Sequence, residues 1–143
     1  MNLIANKPPL VADLTWEGGL RFTARSNGQE LHLDGDTRSA ASPVQALAAA
    51  LAGCMAIDVI HILNKARLPP VGLEARFEGA RADEDPRRFT SIQLHFAITG
   101  DIPADRIERA IALSREKYCS VWHSLRQDLE FVTSFEVQPA PLP

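Results

Sequence analysis

Hydrophobic and polar residues alternate through the first third of the chain, and the alternation predicts three short strands. Val11 to Glu17 carries Leu14 and Trp16 on one face. Gly18-Gly19 marks a turn, and Leu20 to Ser26 then alternates through Leu20, Phe22 and Ala24. Asn27-Gly28 is a strong two-residue hairpin signal, because both residues tolerate φ > 0. Glu30 to Asp34 follows with Leu31 and Leu33 alternating, so the three segments read as a meander.

The period then lengthens from two to between three and four. Ser42-Pro43-Val44-Gln45 opens a helix: Ser42 suits the N-cap, Pro43 the first helical position, and Gln45 completes a capping box with Ser42. Leu47, Leu51, Cys54, Asp58, His61, Ile62 and Lys65 share one broad face, and alanine fills much of the rest. The helix is expected to end near Arg67, ahead of Pro69-Pro70. A helix apolar nearly all round calls for burial on most sides. In so short a chain, that predicts a second subunit helping to cover it.

Alternation returns downstream. Val71 to Ala80 places Val71, Leu73, Ala75 and Phe77 inward, and Phe89 to Thr99 alternates through Ile92, Leu94, Phe96 and Ile98. The charged loop Arg81 to Arg88 joins them into a long hairpin. Pro103 opens a second helix to about Cys119, with Ile107, Ile111, Ser114 and Tyr118 on one face. A short helical stretch through Trp122 and Leu125 follows, and Leu129 to Val137 closes as a strand. The order βββ-α-ββ-α-β places the fold in the α+β class.

Composition narrows the partners more than the fold. The 143 residues fit one domain, taken as 1–143. Hydrophobic residues make up 45% and charged residues 23%, which excludes a disordered chain. A net charge of -3 shows no basic excess, so neither nucleic acid nor an anionic membrane is expected as a partner. Met1 to Pro9 lacks a basic region followed by an apolar stretch. The apolar run Ala46 to Ile57 stops at Asp58, short of the roughly 20 residues a membrane span needs. A soluble, cytoplasmic protein is the expectation.

Two cysteines are too few for a disulfide scaffold or an all-cysteine zinc site. A structural pair, a redox pair, a mixed metal site and two unrelated buried thiols remain. A reducing compartment disfavours a lasting structural disulfide. Cys54 lies in the interior of the apolar helix and reads either as a packed thiol or as a reactive one. The helix N-terminus is too distant to favour a thiolate, so activation has to come from another element. Cys119, in Tyr118-Cys119-Ser120-Val121-Trp122-His123, reads as a packed thiol or as its resolving partner. Asp58, His61 and His123 at helical spacings would complete a mixed zinc site, but no compact CxxC or HxxxH pair supports it. Asp58 reads more simply as a hydrogen-bond acceptor where helices pack or subunits meet. His32 and His95 read as outward-facing. No P-loop, GxGxxG, GxSxG or HExxH occurs.

Two segments carry a family resemblance. Ser42-Pro43-Val44-Gln45 with Leu51-Ala52-Gly53-Cys54-Met55-Ala56-Ile57-Asp58-Val59 resembles the central helix of the OsmC/organic-hydroperoxide-resistance family. Glu116-Lys117-Tyr118-Cys119-Ser120-Val121 resembles its second cysteine motif, and the meander and hairpin match the family layout. The resemblance implies an OsmC-like fold assembled as an intertwined homodimer, with two long central helices between sheets. It implies a thiol-dependent peroxidase that needs no metal or cofactor and reduces organic hydroperoxides. Cys54 would be the peroxidatic cysteine, Cys119 the resolving one, and an external dithiol the reductant.

In the family's best-characterised members an arginine of the first hairpin stabilises the thiolate, and a glutamate near the central helix start orients it. The arginine position falls nearest Arg21, with Arg25 second. The glutamate position falls at Val44 or Gln45; Gln45 accepts a hydrogen bond but brings no charge. The helix is most similar to the OsmC-like branch bearing Gly-Cys-x-Ala-Ile-Asp. The missing acid sets a second expectation beside the first: a non-enzymatic, small-molecule-binding or redox-sensing dimer with the same fold and thiols.

Overall fold

The computed structural model describes residues 7–143; residues 1–6, part of the opening segment read for a leader, lie outside the described residues. Strands β1 (Asp13–Trp16), β2 (Arg21–Ser26) and β3 (Gln29–Asp34) lead into helix α1 (Pro43–Lys65). Then come β4 (Gly72–Arg81), β5 (Phe89–Thr99), α2 (Ala104–Leu113), a π-helical turn (Ser114–Tyr118), α3 (Ser120–His123) and β6 (Glu130–Gln138). This is the α+β order expected. The chain divides within α1 into two compact units, Met1–Leu47 and Ala48–Pro143.

In the N-terminal unit β1, β2 and β3 form an antiparallel meander. Asn27 (φ 49°) and Gly28 (φ 77°) make the tight turn between β2 and β3. Register puts Trp16 beside Phe22 and Phe22 beside Leu33; Leu14 pairs with Ala24 and Ala24 with Leu31. Six apolar side chains thus share one face. In the single chain Leu14, Trp16 and Leu31 are 54%, 63% and 52% exposed. An antiparallel sheet commonly packs one such face on a core. The opposite face is polar: Thr23 Oγ1 lies 3.2 Å from His32 Nδ1, and Arg25 pairs with Glu30 at 3.0 Å.

Asp34, buried at the end of β3, organises the loop toward α1. Its carboxylate accepts the backbone N–H groups of Asp36, Arg38 and Ser39 and the Ser39 hydroxyl. Those bonds favour the charged form and hold its carboxyl down to about 2, from 3.8. The stability Asp34 contributes is therefore present above about pH 4 and is lost as pH falls through about 2. The melting-temperature gap between wild type and Asp34→Asn is expected to be widest near neutrality and to close between pH 4 and pH 2. Circular dichroism melts across that range check it.

The start of α1 follows from local sequence. Gln45 N–H donates to Ser42 Oγ at 3.1 Å, and Ser42 N–H donates to Gln45 Oε1 at 2.9 Å, the reciprocal capping box. The helix ends at Lys65, two residues short of the expected stop, and Arg67 takes a left-handed conformation (φ 61°).

In the C-terminal unit β4 and β5 form the expected antiparallel hairpin. β6 pairs parallel to β5, reached by the crossover through α2. Leu94, Phe96 and Ile98 of β5 share one core with Ile107, Ala110 and Ile111 of α2 and with Leu51, Met55, Val59 and Leu63 of α1. The buried stripe of α1 runs at strict four-residue spacing. This corrects the broad face expected from sequence: Cys54 and Asp58 flank the stripe half-buried, and Leu47, His61 and Lys65 are exposed. A helix apolar nearly all round does not declare which side faces the sheet, and packing makes the choice. Burial on most sides is likewise not reached within one chain, where Ile57 is 69% exposed. Val71 and Ala75, expected inward, are exposed; β4 starts only at Gly72, and as an edge strand it is covered on fewer sides than β5.

At 23 residues, with mean hydropathy 2.1 in its most apolar window, α1 is long and apolar enough to cross a membrane. The uninterrupted apolar run Ala46 to Ile57 does not reveal this, because Asp58 is a single polar residue on one side of the helix. Four of its residues, Leu51, Met55, Val59 and Leu63, pack into the protein core.

Candidate active site

Cys54 and Cys119 meet inside the C-terminal unit. Cys54 sits at mid-length on α1, half-buried beside the core stripe. Cys119 is fully buried between the π turn and α3. Both thiols are free, and the Cys54 side chain lies near enough to push the Cys119 thiol further up. Two residues 65 positions apart are thus brought together by the packing of two elements on one sheet.

Cys119 is held through both its backbone and its sulfur. Its N–H donates to the Ser114 carbonyl at 2.8 Å, the bond that closes the π turn. It is the N-cap of α3, and its Sγ accepts the Trp122 N–H at 3.3 Å. The neighbouring Trp122 ring stacks edge-on against Phe131 with centroids 4.4 Å apart, and the Arg115 guanidinium lies 4.7 Å from the Phe131 ring. Burial pushes the Cys119 thiol up from 9.0 to about 11; the Trp122 N–H opposes the rise, and Cys54 adds to it. Cys119 is therefore a neutral thiol near pH 7.

The second helix departs from expectation here. A continuous α-helix would place Tyr118 on the buried face with Ile107, Ile111 and Ser114. The π turn inserts one residue into that period. Tyr118 is turned out to 50% exposure, and Cys119 takes the inward position.

Asp58 lies one turn beyond Cys54 and accepts the Ser114 hydroxyl at 2.8 Å. An acceptor role for Asp58 was expected; the donor was not. The signal was present in the sequence, since a serine on the apolar stripe of α2 needs a partner when buried.

Arg21 and Gln45 belong to the N-terminal unit. Arg21 is exposed and donates through Nη2 to the Glu17 carbonyl at 2.9 Å, across the Gly18-Gly19 turn. The Gln45 side-chain oxygen is engaged in the capping box. His61 and His123 are exposed, His32 is exposed, and His95 is half-buried with Nδ1 2.8 Å from Ser134 Oγ. Among the described residues no three His, Cys, Asp or Glu side chains gather as a metal would require.

Two cysteines on packed elements, one accessible and one buried, can pass reversibly between dithiol and disulfide. Comparison with known proteins places the chain in a family. Residues 34–134 match the OsmC-like protein family, and the chain belongs to it. Protein YhfA of Escherichia coli K12 is 40% identical over 132 residues, covering 90% of this chain and 98% of that protein. A hypothetical protein from Aquifex aeolicus VF5 shares the fold with TM-score 0.87 at 23% identity, over 94% of this chain and all of that one. An organic hydroperoxide resistance protein OsmC from Legionella pneumophila shares it with TM-score 0.68 at 21% identity, over 91% and 98% of the two chains.

Proposed function

We propose that this protein is a cytoplasmic, homodimeric thiol peroxidase that reduces organic hydroperoxides through Cys54 and Cys119. The observation that carries the reading is the pairing of a half-buried Cys54 thiol with a neighbouring, fully buried Cys119 thiol. Membership of the OsmC-like family supports it, as do fold neighbours named organic hydroperoxide resistance proteins.

The chemistry balances as follows. The Cys54 sulfur attacks the distal oxygen of ROOH; an S–O bond forms, the O–O bond breaks, and ROH leaves with a proton. Cys54 is now a sulfenic acid, oxidised by two electrons. The Cys119 sulfur attacks the Cys54 sulfur, the S–O bond breaks, and hydroxide leaves with the thiol proton as water. An external dithiol then returns two electrons and two protons by exchange. Arg21 enters this proposal as the hairpin arginine of the family pattern, and Gln45 as the residue at the glutamate position.

The dimer is supported by apolar surface that one chain leaves open: the meander face bearing Leu14, Trp16 and Leu31, and Ile57 on α1. Light scattering is expected to give twice the 15.7 kDa chain mass, and Trp16→Asp to shift the protein toward monomer by at least tenfold in dissociation constant. A wild-type monomer at micromolar concentration would refute the assembly.

The activity test compares wild type with Cys54→Ser for consumption of cumene or fatty-acid hydroperoxide with dithiothreitol as reductant. Equal rates would sink the enzymatic reading and leave the binding or sensing dimer.

A further inference from the structure

Ser114 has more to do than fill a core position. It is fully buried, its hydroxyl is donated to Asp58 on α1, and its carbonyl accepts the Cys119 N–H. One residue therefore ties the second cysteine's backbone to the helix that carries the first. Asp58 lies one turn from Cys54 on that helix, so the tie is referenced to a rigid element at short range.

The π turn is not explained by local sequence. Ser114-Arg115-Glu116-Lys117-Tyr118 has no glycine or proline, and its three charged residues are good helix formers. An ordinary α turn would bond the Tyr118 N–H to the Ser114 carbonyl and rotate Cys119 away from its present direction. π turns inside helices are frequent at functional sites. Nor is the carboxylate required for packing. A half-buried carboxylate carries a desolvation penalty that an apolar residue at position 58 would not, in a stretch from Leu51 to Ile60 that is otherwise without polar side chains apart from the Cys54 thiol.

We propose that Asp58 and Ser114 are positioning residues for disulfide formation: the Ser114–Asp58 hydrogen bond holds the π turn in the register that presents Cys119 to Cys54. The inference rests on the thiol-peroxidase reading for its physiological use, but its geometry belongs to the cysteine pair alone. In the closing step, the S–S bond forms as the Cys54 S–O bond breaks and water leaves; Asp58 and Ser114 exchange no atom or electron in that step and act through the turn.

The test separates the pair from the peroxide. Wild type, Ser114→Ala, Asp58→Ala and Asp58→Asn are equilibrated in reduced and oxidised dithiothreitol, and the Cys54–Cys119 disulfide is quantified by alkylation and mass spectrometry. Ser114→Ala and Asp58→Ala are expected to lower the disulfide equilibrium constant by about tenfold, or about 30 mV. Asp58→Asn keeps an acceptor oxygen and is expected to restore most of it. A general loss of stability would not produce that rescue pattern in variants still folded by circular dichroism. In parallel, cumene hydroperoxide is added and the Cys54 sulfenic acid trapped with dimedone. The sulfenic acid should form at the wild-type rate in Ser114→Ala and persist about tenfold longer. A wild-type disulfide equilibrium in folded Ser114→Ala would overturn the positioning role. A shifted equilibrium in a protein that never forms a sulfenic acid with hydroperoxide supports the positioning role and removes the peroxidase reading.

Discussion

Cys54→Ser is expected to lower organic hydroperoxide reduction by on the order of 10³-fold or more, to the rate of dithiol alone. A serine hydroxyl is not ionised near neutrality and is a far weaker nucleophile toward peroxide oxygen than a thiolate. The replacement of sulfur by oxygen is small, and the half-buried site on α1 leaves the core stripe from Leu51 to Leu63 untouched. Folding and assembly should therefore be unchanged, so the loss reports chemistry. Residual peroxide measured by ferrous-iron oxidation gives the rate directly. The same loss should appear with cumene and fatty-acid hydroperoxides. A variant within a few-fold of wild type would remove Cys54 from the peroxidatic role.

Cys119→Ser is expected to separate the two steps. The first reaction of Cys54 with hydroperoxide proceeds, and the protein then stops as a sulfenic acid in the absence of added thiol. One peroxide is consumed per chain where wild type closes a disulfide. The pH profile of closure in wild type follows from burial. The Cys119 thiol is pushed up to about 11, so its thiolate is scarce at pH 7 and increases roughly tenfold per pH unit below that value. Closure should accelerate with the same slope between about pH 7 and pH 10. Above the unfolded value of 9.0 the neutral thiol's contribution to stability also begins to fall, and it is lost as pH passes about 11. Acid-quenched samples analysed by mass separate sulfenic acid from disulfide and yield the closure rate. A closure rate independent of pH over that range would contradict a buried neutral Cys119 as the attacking group.

The strands and the helix start were legible because their signals are local. Period-two alternation marks β2, β3 and β5, Asn27-Gly28 marks the turn, and Ser42 with Gln45 marks the cap; each depends on residues a few positions apart. The stripe of α1 was not legible. With alanine, leucine, isoleucine and methionine on nearly every side, the helix offers several equivalent faces, and contact with β5 and α2 selects Leu51, Met55, Val59 and Leu63. The inward place that periodicity gives Tyr118 falls to Cys119 for a related reason. Periodicity assumes a uniform α-helix, and one inserted residue in the π turn exchanges their places. The meander's apolar face was readable residue by residue, yet its exposure appears only in three dimensions.

By itself, then, the sequence determined the element order, the α+β class, the two cysteine motifs and the family resemblance they carry, because these rest on local pattern and composition. Tertiary structure alone decided that the two thiols are neighbours, that Cys119 is buried and neutral, and that Ser114 joins the second cysteine to Asp58. Those are distances and burial between residues more than fifty positions apart, set by how α1 and α2 settle on one sheet, and no local period encodes them.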